Sequence, residues 1–187
     1  PGQKVAFVGA TGAGKTTIGV KIAELTGRRW YDTDQMIIDR YGNISDIFEY
    51  YGEEYFRKLE SGIVKELSKE EHLIISTGGG LVLKRENNEL LQQNGKIVFL
   101  RASLDTLVKR LKVYDNRPLL QADSGVIADK LAELLRVRMP VYEHVADFIV
   151  DVDGKSVEES AAAVIQTVEN AALKKASEKE RTEGTGI

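Results

Sequence analysis

Cysteine is absent from the 187-residue chain, which excludes disulfides, zinc–thiolate sites and a cysteine nucleophile and suits a reducing cytoplasm. No apolar run approaches the roughly 18 residues that a transmembrane helix needs. Acidic and basic side chains nearly balance, at 29 against 26, and the formal net charge is −3. Such a chain has no long-range positive field that recruits nucleic acid or anionic lipid. We therefore expect a cytoplasmic protein that binds neither nucleic acid nor membranes and takes any anionic ligand at a local site.

Short apolar segments alternate with segments of helical periodicity along most of the chain. The predicted strands cover residues 4–8, 29–31, 72–77, 96–101 and 147–152. Strands separated by helices favour a parallel sheet covered on both faces, which is a three-layer α/β/α fold, in one domain of residues 1–173. The polar stretch 112–125 indicates a mobile loop. At the end of the chain, the charged composition of residues 174–187, with few apolar residues, predicts a disordered tail.

The first predicted strand runs into a glycine-rich loop that opens a helix. Residues 9–16 read GATGAGKT and match the phosphate-binding pattern G-x-x-x-x-G-K-[ST]. In this pattern backbone N–H groups and the helix N-terminus bind phosphate oxygens, Lys15 reaches the terminal phosphates and the Thr16 hydroxyl binds Mg²⁺. We therefore predict a site for a nucleoside triphosphate and Mg²⁺. The residues assigned to the nucleotide are Gly12, Ala13, Gly14, Lys15, Thr16 and Thr17.

Two carboxylates follow the second predicted strand, at the edge where parallel sheets bind ligands. Asp32 and Asp34 are two residues apart, so one can reach the Mg²⁺ shell, directly or through water, and the other an acceptor hydroxyl. Without the phosphate loop the same pair would indicate a turn or a helix cap. The sequence has no Asn-Lys-x-Asp guanine-binding motif and is too short for a motor or a large ATPase. These observations favour a small kinase.

Further motifs follow in order behind the phosphate loop and Asp-x-Asp. They are Phe48-x-x-x-Gly52-Glu53-x-x-Phe56-Arg57, Gly78-Gly79-Gly80, Arg117-Pro118-Leu119-Leu120 and Arg138-Met-Pro-Val-Tyr142. With these motifs, over residues 4–170, the chain resembles the shikimate kinase family. The resemblance implies a P-loop fold of the nucleoside monophosphate kinase type, with a five-stranded parallel sheet and a mobile lid. It also implies transfer of the ATP γ-phosphoryl group to the 3-hydroxyl of shikimate, in aromatic amino acid biosynthesis.

The resemblance assigns the substrate contacts by position. It implies that shikimate is bound by Asp34, Arg57, Gly79 and Arg138. The two guanidinium groups can donate paired hydrogen bonds to the shikimate carboxylate. An ionised Asp34 and the glycine backbone can form hydrogen bonds with the ring hydroxyls. Glu60 lies one helical turn after Arg57, and we expect it to hold the guanidinium in position.

Two more arginines match positions that act on the nucleotide. Arg117 resembles the lid arginine of the family, which stabilises charge on the moving phosphoryl group when the lid, about 112–125, closes. Arg110 resembles an arginine that packs on adenine, with residues 151–155 on the other side of the ring. The expected catalytic residues are thus Lys15, Asp34 and Arg117, where Asp34 either takes the proton of the 3-hydroxyl or only orients it.

The sequence departs from the family pattern in one segment. Between Asp34 and Arg57 it is a residue shorter than usual, which predicts a remodelled turn near residues 42–48. His72 and His144 match no catalytic position, and we interpret both as structural or surface residues.

Two other functions stay open at this point. One is a related small-molecule kinase, for instance one that acts on gluconate. The other is a catalytically silent nucleotide-binding domain that regulates a partner, which the intact set of site residues disfavours. Our prediction is a monomer whose partner is the small molecule shikimate.

Overall fold

A computed structural model describes residues 3–113 and 124–183 of the chain. Its strands are β1 (Lys4–Val8), β2 (Arg29–Asp32), β3 (Leu73–Ser76), β4 (Gly95–Arg101) and β5 (Phe148–Asp151). They form one parallel sheet in the order β2-β3-β1-β4-β5. Val5 of the central strand pairs with Ile74 on one side and Lys96 on the other. The predicted five-stranded parallel sheet is confirmed, and each strand end lies within one residue of its predicted position.

Helices cover both faces of this sheet. They are α1 (Lys15–Thr26), α2 (Thr33–Tyr41), α3 (Ile44–Leu67), α4 (Arg85–Gln92), α5 (Leu104–Val113), α6 (Ser124–Val145) and α7 (Val157–Glu183), with a 3₁₀ turn at Leu81–Leu83. Helices α1, α5 and α7 pack in a hydrophobic cluster on one face, α2, α3 and α4 pack in a second on the other, and α6 contributes to both. The predicted three-layer fold is therefore confirmed. No helix of the described ranges has the length and apolar character needed to cross a membrane.

The central strand β1 shows why short apolar runs predict this sheet. Val5 and Phe7 belong to the cluster with α1, whereas Ala6 and Val8 belong to the cluster with α3. Successive side chains of a strand point to opposite faces, so a strand covered on both faces must be apolar throughout.

Lys4 is the one charged residue of this apolar strand, and it is buried with the rest, only 2% exposed. Its Nζ donates hydrogen bonds to the carbonyls of Ser68, at 2.9 Å, and Glu70, at 3.0 Å. These carbonyls lie directly after the end of α3, where helix carbonyls lack partners within the helix. Lys4 thus ties the C-terminal end of α3 to the central strand.

The predicted ends of two helices are present in the structure. Gly27 ends α1 in the left-handed region at φ 67°. At the start of α7 the Ser156 N–H donates to Glu159 Oε2 and the Glu159 N–H donates to Ser156 Oγ, both at 3.0 Å. This reciprocal pair is the capping box predicted from the spacing of the two residues.

The segment that departs from the family pattern contains two glycines with positive φ. Gly42 ends α2 at φ 92°, and the Asn43 side chain then accepts from the Ser45 N–H at 2.8 Å to cap α3. Gly52 interrupts α3 at φ 83°, which separates its first two turns from the part that carries Arg57.

The predicted tail is the main difference between sequence and structure. Residues 174–183, expected to be disordered, continue α7 as a helix to Glu183. Low apolar content argues against burial, but this segment is rich in lysine and glutamate, which favour helix. Residues 114–123, with Arg117 and most of the predicted lid, and residues 184–187 lie outside the described residues.

Candidate active site

Three segments that follow neighbouring strands meet at the carboxyl edge of the sheet. β1 continues into residues 9–16, β2 ends on Asp32, and β3 continues into residues 77–80. Because these strands are adjacent in the order β2-β3-β1, the three segments lie side by side.

The phosphate loop, residues 9–16, encloses the Lys15 side chain. Lys15 Nζ donates to the carbonyls of Gly9, at 2.6 Å, and Ala10, at 3.0 Å. Burial lowers the pKa of Lys15 to about 8, against the attraction of Asp34 and Asp32. The ammonium group therefore lies inside the loop that the sequence pattern predicts to bind phosphates.

The loop backbone leads directly into α1. Gly12 and Gly14 adopt left-handed conformations, at φ 91° and 96°, that glycine tolerates without strain. Gly14 is the N-cap of α1, and Thr17 Oγ1 donates to its carbonyl at 3.3 Å. The N–H groups of this first turn lie at the positive end of the helix dipole, where an anion is stabilised.

Two side chains from the sheet support the first turn of α1. Ser76 Oγ, at the end of β3, donates to the Lys15 carbonyl at 2.6 Å. The same oxygen accepts from Trp30 Nε1 at 3.0 Å. The backbone of Lys15, the predicted phosphate-binding lysine, is thus tied to two strands.

Thr16 and Asp32, the predicted metal ligands, are in direct contact. Thr16 Oγ1 donates to Asp32 Oδ2 at 2.8 Å. The other carboxylate oxygen of Asp32 accepts from the Gln35 N–H at 3.0 Å and caps α2. A hydroxyl and a carboxylate are the hard oxygen donors that Mg²⁺ prefers, so the pair fits a magnesium ion.

Asp34 lies in the first turn of α2, against the glycine segment, residues 78–80. A Cβ atom added to Gly78 would be 2.5 Å from Asp34 Oδ1. Burial raises the pKa of Asp34, and repulsion from Asp32 adds to the rise. Lys15 and Arg57 lower it. Asp34 is therefore a carboxylate of raised basicity that faces cationic groups.

Side chains from two helices hold the glycine segment in place. Thr33, which is fully buried between the two aspartates, accepts a hydrogen bond from the Gly78 N–H at 3.0 Å. Asn87 of α4 donates to the carbonyl of Leu81 at 3.0 Å, just after the segment.

Each glycine of the segment faces a different predicted substrate-binding side chain. The nearest atoms to an added Cβ are Asp34 Oδ1 at Gly78, Arg138 Nη1 at Gly79, 3.1 Å away, and the Arg57 guanidinium at Gly80. A Cβ atom at Gly78 or Gly80 would collide with these groups, and one at Gly79 would leave a tight contact with Arg138. The segment therefore lets two guanidinium groups and one carboxylate converge on the backbone.

Arg57 is held by acidic residues on its own helix. Its Nη1 donates to Glu60 Oε2 at 2.6 Å and its Nη2 to Glu53 Oε1 at 3.1 Å. Glu60 is 1% exposed, and this burial raises its pKa although the hydrogen bond from Arg57 opposes the rise. The guanidinium also lies over the Phe56 ring, 5.4 Å from its centroid. The predicted contact of Glu60 with Arg57 is confirmed.

Comparison with known proteins relates this geometry to one family. The family model for shikimate kinase matches residues 11–169 of the chain. The chain belongs to the shikimate kinase family.

Individual relatives in this family match most of the chain. Shikimate kinase from Chromobacterium violaceum is 42% identical over 155 residues, which is 81% of this chain and 82% of the relative. Shikimate kinase from Caldicellulosiruptor bescii is 42% identical over 164 residues, 87% of this chain and 94% of the relative. A solved structure of shikimate kinase from Acinetobacter baumannii in complex with shikimate has a TM-score of 0.83 and 35% identity, covering 91% of this chain and 95% of that chain. The family resemblance inferred from the motifs is confirmed.

In this shikimate kinase family member, Arg110 lies beside the phosphate loop. Its Nη1 donates to the carbonyls of residues 12 and 13, both at 3.1 Å. A hydrogen bond from the Ser103 backbone lowers the pKa of Asp153, and the charge of Arg110 contributes to the same shift. Arg110 thus lies between the loop and residues 151–155, although its contact with adenine stays a prediction.

Sequence reasoning gave no role to Tyr142, although the structure places it in the site. Its hydroxyl donates to the Gly79 carbonyl at 2.6 Å, and the residue is 1% exposed. Tyr142 lies four residues after Arg138 on α6, so both side chains leave the same helix face. From the sequence, this four-residue spacing predicts that Tyr142 lies beside Arg138.

Proposed function

We propose that the chain is an ATP-dependent phosphotransferase that phosphorylates the 3-hydroxyl of shikimate and releases shikimate 3-phosphate and ADP. The observation that carries this proposal is the convergence of Asp34, Arg57 and Arg138 on the glycine segment, next to Lys15 in the phosphate loop. The chain's membership in the shikimate kinase family and the shikimate-bound relative support the same substrate.

In this proposal the acceptor is held by charge and shape together. Arg57 and Arg138 bind the shikimate carboxylate, since two guanidinium groups approach the glycine segment from different helices. Asp34 accepts a hydrogen bond from a ring hydroxyl, and the Gly79 backbone contacts the ring. Glu60 keeps Arg57 from turning away, because it fixes the guanidinium at 2.6 Å.

The nucleotide side of the site uses the loop and its helix. ATP phosphates bind the backbone of residues 12–17 and the Lys15 ammonium group, and Arg110 borders the base. Thr16 and Asp32 are proposed to hold Mg²⁺, which would neutralise phosphate charge.

The reaction is an in-line transfer in which positioning does most of the work. The 3-hydroxyl oxygen forms a bond to the γ-phosphorus while the bond to the β,γ-bridging oxygen breaks and ADP leaves. Asp34 orients the hydroxyl, and its raised pKa makes it a suitable acceptor for the proton that the oxygen loses. Lys15, together with Arg117 outside the described residues, supplies positive charge to the moving phosphoryl group.

An acceptor panel in a coupled ADP-release assay tests the substrate. We expect turnover with shikimate well above that with gluconate, nucleoside monophosphates or water. Preference for another acceptor would refute the substrate assignment, and ATP binding without any turnover would indicate a silent domain. Lys15→Ala should nearly abolish turnover.

Arginine variants test the carboxylate assignment. Arg57→Ala and Arg138→Ala should raise KM for shikimate while KM for ATP stays near that of the unmodified protein. Arg136→Ala is the matched control on α6, because Arg136 is exposed and pairs only at the surface with Glu133, at 3.0 Å. If both site variants behave like this control, the carboxylate assignment is wrong.

The expectations of a cytoplasmic location, a monomer and no binding to nucleic acid or membranes stay predictions from composition and family resemblance.

A further inference from the structure

Tyr142 lies against two residues of the proposed shikimate site, Gly79 and Arg138. Its hydroxyl donates to the Gly79 carbonyl at 2.6 Å. The Arg138 guanidinium lies at the same glycine, since a Cβ atom added to Gly79 would be 3.1 Å from Arg138 Nη1 and 3.6 Å from the Tyr142 hydroxyl oxygen. A phenol that donates its proton to Gly79 keeps lone pairs that face the neighbouring guanidinium, so the hydroxyl lies between the glycine backbone and Arg138.

Packing in the core fixes the position of the Tyr142 phenol. Tyr142 is 1% exposed, and its ring packs against Phe99 of β4 with the centroids 5.2 Å apart. Phe99 pairs with Val8 of the central strand and with Ile149 of β5, so its ring is held by the sheet. The phenol oxygen therefore has little freedom to move away from Gly79.

Both partners of the phenol are groups that the proposed function uses. Arg138 is proposed to bind the shikimate carboxylate. The Gly79 carbonyl belongs to the planar Gly79–Gly80 peptide, so a bond to its oxygen fixes the orientation of that whole peptide. Burial raises the pKa of Tyr142, against the opposing effect of Arg138, and the phenol accordingly keeps the proton that it donates.

Packing alone does not require the hydroxyl, because a phenylalanine ring would fill the same space against Phe99. The hydroxyl is instead needed to set the direction of the Arg138 guanidinium and of the Gly79 carbonyl. We infer that Tyr142 is a positioning residue for the acceptor, which aims Arg138 at the shikimate carboxylate and fixes the glycine segment. This inference rests on the proposed function.

The Tyr142→Phe variant tests it, since it removes one oxygen and keeps the ring. We expect KM for shikimate to rise roughly tenfold, the effect of losing one hydrogen bond that fixes the acceptor site. KM for ATP should stay near that of the unmodified protein, and the melting temperature should fall by only about a few degrees, since a single carbonyl loses its donor. Tyr31→Phe is the matched control, because it removes the same atom from a half-buried tyrosine of β2 outside the site.

A double-mutant cycle with Arg138→Met tests whether Tyr142 acts through Arg138. The combined variant should raise KM for shikimate by less than the product of the two single effects. An unchanged KM for shikimate in Tyr142→Phe, an equal rise in KM for ATP, or multiplicative effects in the cycle would overturn the inference. Failure of the unmodified protein to phosphorylate shikimate would instead refute the proposed function.

Discussion

Substituting alanine for Gly80 should weaken acceptor binding without disturbing the backbone. Gly80 has φ −103° and ψ 0°, values that any L-residue adopts. An added Cβ atom would nevertheless lie 2.6 Å from Arg57 Nη1 and 2.8 Å from its Cζ. Both distances are well inside van der Waals contact, so the guanidinium must move.

The size of the effect follows from what holds Arg57. Glu60, almost fully buried, binds the guanidinium at 2.6 Å, so any displacement weakens either this ion pair or the contact with the acceptor. A hydrogen bond to a charged group contributes about 1.5–3 kcal/mol. Losing one on the acceptor side raises KM for shikimate about ten- to a hundredfold, whereas KM for ATP stays unchanged.

Initial rates at varied shikimate and at varied ATP measure the two constants separately. Gly62→Ala is the matched control on α3, because a Cβ atom there meets nothing within 4 Å. It should leave both KM values unchanged and stabilise the helix by up to about 1 kcal/mol. A Gly80→Ala protein with the original KM for shikimate would refute the argument that Arg57 and the glycine segment leave no room for a methyl group.

Three further predictions concern the nucleotide site and the fold. Burial lowers the pKa of Lys15 to about 8, and bound phosphates should raise it. Above pH 8, ATP binding should therefore take up a proton, and the affinity for ATP should fall by up to about tenfold per pH unit. Calorimetry in buffers of different ionisation enthalpy measures the proton uptake, and an ATP affinity that does not change with pH would contradict the prediction. Asp32→Asn should raise the Mg²⁺ concentration for half-maximal turnover at least about tenfold. The melting temperature should not change, since asparagine also caps helices; an unchanged Mg²⁺ requirement would exclude Asp32 from the metal site. Lys4→Met should lower the free energy of unfolding in urea by about 1–3 kcal/mol, because carbonyls after α3 lose their donor. Exposed Lys69→Met is the control, and equal stability of the two variants would show that the buried ammonium group does not stabilise the end of α3.

The sheet and much of the site follow from local sequence patterns. The apolar run of β1 predicts a buried strand, and the glycine-lysine pattern predicts the loop after it. The pair Arg57 and Glu60 is also predictable, because residues three apart on a helix are neighbours. Each of these signals lies within a few residues of the feature it predicts.

Contacts between distant residues carry no such local signal. Tyr142 and the Gly79 carbonyl are 63 positions apart, and Ser76 and the Lys15 carbonyl are 61 apart. The sequence predicts Lys4 only as a strand residue, because no neighbouring residue indicates that its side chain binds carbonyls after α3. The extension of α7 to Glu183 differs from the expected disorder, because a polar composition argues against burial while lysine and glutamate favour helix.

The Asp32-Thr33-Asp34 tripeptide has a consequence for how the two ligands communicate. Asp32 touches Thr16, Thr33 anchors Gly78, and Asp34 lies against that same glycine. A shift of this single turn would thus disturb the ion-binding pair, the glycine backbone and the carboxylate for the alcohol in one movement. On the proposed site assignment, three consecutive residues therefore link the affinities for nucleotide and acceptor, and a substitution that improves one affinity should also change the other.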